Sequence, residues 1–152
     1  MSASPASAKS STVKMAESGP LFEVWRHSDK CSMRIDWNRT GAVRITVTGH
    51  GHADYSQPAL ARWDAALGSG SRPVMLIDFW GMPTYDSGMR VQMTGWGVKH
   101  RSEADFYVCT QSKIVLMGLA VANIALSGLL HVFEERQQFD IACVKKGLPL
   151  RK

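Results

Sequence analysis

Cysteine is scarce in this chain. Cys31, Cys109 and Cys143 are an odd number, lie far apart and never form a Cys-x-x-Cys pair. That pattern excludes a disulfide framework and a structural zinc cluster, and it fits a protein of the reducing cytoplasm. Residues 1–20 hold no apolar run of the kind that forms a signal-peptide core. There is no Gly-x-Ser-x-Gly elbow, and no known cysteine-nucleophile signature surrounds Cys109. The parts of a hydrolase are therefore missing, and the expectation is a protein that is not an enzyme and uses no cofactor. No continuous basic stripe interleaved with aromatics is present either. The net charge of +5 has visible sources at the ends, Lys9, Lys14, Lys145, Lys146, Arg151 and Lys152, which argues against nucleic-acid binding.

What is present is the composition of a folded domain, 45% hydrophobic and 20% charged in 152 residues, enough to bury a core without metal or disulfides. Residues 1–20, rich in Ser, Ala, Pro, Lys and Gly without apolar periodicity, are expected to be a disordered tail. The domain should then run over 21–148, with a basic C-terminal tail at 149–152.

Leu21 to His27 and Ser32 to Asn38 alternate apolar with polar residues, as half-buried strands do. Arg39-Thr40-Gly41 turns the chain into a third strand, Ala42 to Thr48, completing a hairpin. Tyr55 to Leu67 repeats Leu60, Trp63, Ala66 and Leu67 at helical spacing, with Pro58 tolerated in the first turn. Val74 to Phe79 is an apolar run ending at Asp78, a central strand covered on both faces. Met89, Met93, Trp96 and His100 then mark one stripe of a helix. A strand at Asp105 to Cys109, a helix at Lys113 to Leu126 capped by Ser112, a strand at Leu130 to Glu134 and a helix at Arg136 to Lys146 follow. The order predicts an α/β fold, a mixed and mostly parallel β-sheet with about four helices, preceded by an N-terminal β-hairpin.

Two segments carry the candidate functional residues. In the first, Asp78 ends a strand and Asp86-Ser87-Gly88 opens a helix. Ser87 there either caps the helix or carries a phosphate held by its free backbone N–H groups. Asp78, Asp86, Gly88, Met89, Arg90 and Met93 would form the surrounding switch face. In the second, Ile114 to Leu130 is apolar around the whole helical circumference, broken only by Asn123 and Ser127. At seventeen residues it reaches only the lower limit of a membrane span, so no span is expected. A helix without a polar face is buried on both sides. Ile114, Met117, Gly118, Val121, Ala122 and Ala125 are the candidate surface for a second subunit, which makes a homo-oligomer the expectation, or for a small apolar or lipid-like ligand. His50 and His52 share one face of an extended segment and begin a metal site that nothing in the sequence completes, so no metal is expected.

The blocks Val43 to Asp54 and Met75 to Gly88, with this order of elements, resemble the STAS domain of bacterial anti-sigma-factor antagonists and its STAS/SEC14-like relatives. The resemblance spans Ala42 to Lys146. It implies signalling by protein–protein contact, with an anti-sigma factor or a kinase-like regulator as partner. It also implies phosphorylation in the Asp-Ser turn, where Ser87 is the hydroxyl that takes the role.

Overall fold

A computed structural model describes residues 12–70 and 72–150. Seven strands form one sheet in chain order: β1 (Lys14–Gly19), β2 (Phe22–Arg26), β3 (Ser32–Trp37), β4 (Ala42–Thr48), β5 (Val74–Asp78), β6 (Asp105–Cys109) and β7 (Leu130–Phe133). The first four pair antiparallel through short turns. From β4 to β7 the pairing is parallel, because a helix intervenes each time. The helices are α1 (Ser56–Leu67), α2 (Ser87–Lys99), α3 (Lys113–Ala125) and α4 (Arg136–Lys145). The mixed sheet with four helices is the architecture expected from the sequence, although it is half antiparallel rather than mostly parallel, because β1 adds a third antiparallel pairing to those of β2, β3 and β4.

Strand alternation sorts the two faces of the sheet. Ile35, Ile45, Ile77, Val108 and Val132 stand in register across β3 to β7 and belong to the larger core, which also holds Trp63, Met89, Trp96 and Val115 from α1, α2 and α3. β-Branched residues suit this row, since they fill a pleated surface with little rotamer entropy to lose. Trp63, Trp96 and Phe106 meet there with centroids 5.1 to 6.1 Å apart. The opposite face carries the register row Arg34, Thr46, Asp78, Cys109 and Phe133. α4 covers it, through Phe139 and Cys143 against Ala42, Val74 and Leu76, together with the buried Leu148 that follows the helix.

The tail expectation fails for residues 12–20. Lys14–Gly19 pairs with β2 across a two-residue Pro20-Leu21 turn, with a bulge between Met15 and Glu17. Its side chains are mostly exposed, so no apolar period announces it. It is ordered by ladder hydrogen bonds, by the buried Val13, and by Thr12, whose N–H and hydroxyl both donate to Asp54 Oδ2 at 2.7 Å. Residues 1–11 and the basic pair Arg151 and Lys152 lie outside the described residues. Pro149, placed in the C-terminal tail, has its carbonyl held by Arg44 Nη1 at 2.8 Å, and Leu148 is buried.

Candidate functional site

The C-terminal ends of β4 and β5 point the same way because the two strands are parallel neighbours, so the loops that follow them lie side by side. They are stitched together. Gly49 N–H donates to the Gly81 carbonyl at 2.9 Å, Gly51 N–H to Thr84 at 2.9 Å, and Asp86 N–H to Gly51 at 2.8 Å. Gly51 permits this approach, since a Cβ there would press on the sulfurs of Met82 and Met89 and on Tyr85. Gly49 sits at φ +81°, where a side chain is strained.

Asp86 holds the N-cap position of α2 in extended conformation, yet its carboxylate does not cap the helix. Instead Oδ1 pairs with His50 Nε2 at 2.8 Å and Oδ2 accepts from Ala53 N–H at 2.9 Å. The His50 contact, then the Ala53 N–H, hold the Asp86 carboxyl below the usual carboxylate range. His50 Nδ1 is 2.8 Å from Thr84 Oγ1. His52 stands edge-on to His50 with centroids 4.8 Å apart, and His27 from the β2–β3 turn stacks on His52 at 3.6 Å. Burial, then the neighbouring His27 and His50, push the His52 pKa down. Ser87, the first residue of α2, is exposed beside this group.

Asp78 is not part of it. Its side chain shares the parity of Val74 and Leu76 and therefore faces α4, where Arg136 grips it with Nη1 to Oδ1 at 2.9 Å and Nη2 to Oδ2 at 2.8 Å. Trp80 N–H also donates to Oδ1 at 3.0 Å. The carboxylate grouped with Ser87 on sequence grounds is thus a buried ion pair on the far side of the sheet. Met89 likewise leaves the switch face, being 2% exposed in the core. Gly88 lies against Ala53, while Arg90 and Met93 are half-buried along the α2–α3 boundary. Val91, at 61% exposure, and Val98, at 38%, are outward apolar residues of that helix.

The all-apolar segment divides by helical phase. Ile114, Met117 and Val121 face outward, as does Ile124, which is 81% exposed and absent from the sequence-derived set; Ala125 is exposed beside them. Gly118 and Ala122 turn inward instead. A Cβ on Gly118 would collide with the Tyr85 hydroxyl, so this glycine admits the protein's own loop and not a second helix. Beneath α2 and α3 lies a cavity of about 70 Å³, lined by Ile77, Met82, Tyr85, Met93, Val115 and Leu119 among others. On the other face a polar groove of about 380 Å³ runs past Arg26, Arg34, Arg44, Asp78 and Arg136. Among the described residues no helix is long and apolar enough to cross a membrane.

No protein-family model and no curated protein matches this chain. Among solved structures it is similar to an uncharacterized protein of the DUF3478 family with a SpoIIAA-like fold from Shewanella loihica PV-4. That match has a TM-score of 0.51 and 16% identity, covering 81% of this chain and 95% of the other. The seven-stranded mixed sheet with its four helices is therefore a STAS-like, SpoIIAA-like fold.

Proposed function

We propose that this protein is a non-enzymatic regulatory or scaffold module of the cytoplasm that acts by protein–protein contact through α3 and the adjoining end of α2, with Ser87 as its phosphorylation switch. The observation that carries the reading is the uncovered stripe Ile114, Met117, Val121 and Ile124, exposed by 57, 70, 54 and 81%. Spacings of three, four and three residues put these side chains on one seam, the pattern of a helix that docks on another helix. Contiguous exposed apolar surface of this kind marks interaction sites. The SpoIIAA-like fold agrees with an anti-sigma-factor-antagonist type of role.

Ser87 supports the switch because it is exposed at the N-terminus of a thirteen-residue helix, where backbone N–H groups and the helix dipole favour an anion. A phosphate would add about −1.5 to −2 charges next to Asp86, a repulsion that the helix N-terminus opposes.

A second copy of the chain is the partner proposed for the stripe. Light scattering on the eluted protein is expected to give a dimer, and Val121→Asp with Ile124→Asp a monomer of unchanged circular dichroism. A wild type that stays monomeric would remove the self-association reading. Intact-mass analysis after expression with the native kinases is expected to show one phosphate on Ser87. Its absence, together with a Ser87→Asp variant that associates like wild type, would remove the switch. The cavity under α3 is a weaker basis for a lipid-like ligand, because its 70 Å³ falls well below the roughly 300 Å³ at which ligand pockets begin. Such a ligand requires α2 and α3 to part.

A further inference from the structure

We propose that His50, His52 and Asp86 form a binding site for one divalent transition-metal ion of the zinc type. The inference is independent of the docking reading, since it concerns the loops at the sheet's C-terminal edge and not the α3 stripe.

Their ligand atoms, one from each residue, all lie within 4.8 Å of one another. Zinc bonds of about 2.0–2.2 Å to nitrogen and oxygen set tetrahedral ligand atoms about 3.3 Å apart, so closing on an ion takes roughly 1.5 Å of movement by the same geometry. The two imidazoles are half-buried at the edge of the site. The backbone is already in place: the three stitches between residues 49–51 and 81–86 hold all three Cα positions on one rigid edge. Two imidazoles and a carboxylate are a donor set suited to borderline ions such as Zn²⁺, Co²⁺ or Ni²⁺, and not to Ca²⁺ or Mg²⁺, which prefer oxygen.

The surrounding contacts are those of a supported site. His50 is held through Nδ1 by the Thr84 hydroxyl, leaving Nε2 as the atom that faces Asp86. The second oxygen of Asp86 is fixed by Ala53 N–H. The His52 ring is oriented by His27, stacked on it at 14° between planes. Outer contacts of this type fix ring orientation and carboxylate direction before an ion arrives. His50 Nε2 and Asp86 Oδ1 already face each other across 2.8 Å. A cation placed between them takes both as ligands and recruits His52 as well. Three protein ligands leave one coordination position open.

The test uses tag-free protein stripped with chelator. Calorimetric titration with ZnCl₂ is expected to show one ion per chain, and Co²⁺ to give visible ligand-field bands saturating at one equivalent. His52→Gln and Asp86→Asn should each weaken Zn²⁺ binding by more than about tenfold, the scale seen even for outer-shell losses. His131→Gln, on the far edge strand, should bind as wild type does. Absence of saturable binding overturns the proposal, as does wild-type affinity in His52→Gln or in Asp86→Asn. Either variant carries the test should the other misfold by circular dichroism.

Discussion

Asp78 and Asp86 end the two sides of one loop, yet they live in different media. Asp78 is 2% exposed, bound by both ends of a guanidinium and by a backbone N–H. Asp86 has a side chain 45% exposed and is bound by a histidine and one N–H. The difference teaches that burial, more than sequence context, sorts a carboxylate into architecture or chemistry. A dry carboxylate with an Arg fork has no freedom left, and it fastens α4 to the sheet. A wet one with imidazole partners can exchange a proton for an ion or a neighbouring phosphate.

The comparison breaks most visibly at Arg136. Arg136→Ala strands the Asp78 charge beside the Cys109 thiol, 3.5 Å away, and also removes the Arg136–Asp140 contact at 3.1 Å. Losing one partner of a buried pair costs about 3 kcal/mol, at the low end of the usual range because Arg136 itself keeps contact with water. Urea denaturation should show the midpoint falling with the slope unchanged. A loss under about 1 kcal/mol would place the pair with ordinary surface ion pairs and erase the contrast with Asp86.

The buried thiols on the α4 side of the sheet should announce themselves in alkali. Burial, then the charge of Asp78, push the Cys109 thiol well up, and burial pushes Cys143 up to about 11 from its ordinary 9.0. Both pKa values are raised in the folded state, so the stabilisation from the neutral thiols is complete below pH 9 and is lost as pH rises through the folded values. Between pH 9 and about 11 the unfolded chain releases protons that the folded chain keeps, and stability falls. Denaturation midpoints should decline across that window, less steeply in Cys143→Ala. At neutral pH a thiol reagent should modify Cys31, which is half-exposed, and spare the two buried cysteines. A flat alkaline profile would contradict the burial of these two thiols.

Legibility in the sequence followed the same division. Ile35, Ile45 and Ile77 alternate with polar or differently facing residues, so the strands and the α/β order could be read directly. β1 could not, because KMAESG buries almost nothing and is held by backbone pairing. The side on which Asp78 lies is hidden because an apolar run conceals parity: Val74, Leu76 and Asp78 separate from Met75 and Ile77 only once α4 covers the other face. The inward position of Gly118 is hidden for a related reason. A helix apolar all round shows no phase, so its inward glycine and outward Ile124 look alike. His50 and His52 were visible as a pair, but their third partner lies 34 residues further on. It is reached only through the parallel register of β4 and β5.

The smallest expected effect is also the one that sharpens the comparison most. Asp86→Asn keeps shape and the Ala53 contact while removing the charge, and for a half-exposed partner of histidine the stability change should stay below about 1 kcal/mol. Its sign with pH is opposite to that of the thiols. The Asp86 carboxyl is held below its ordinary 3.8, so its contribution is present above that value and is lost as pH falls through the lower folded value. Wild type and Asp86→Asn should therefore differ slightly at neutral pH and converge in acid, as followed by thermal melts. Were Asp86→Asn to cost as much as Arg136→Ala, both carboxylates would be structural, and the loops at the sheet edge would need Asp86 simply to fold. A small and acid-sensitive difference instead means that the fold does not depend on this carboxylate, leaving it free to serve a ligand.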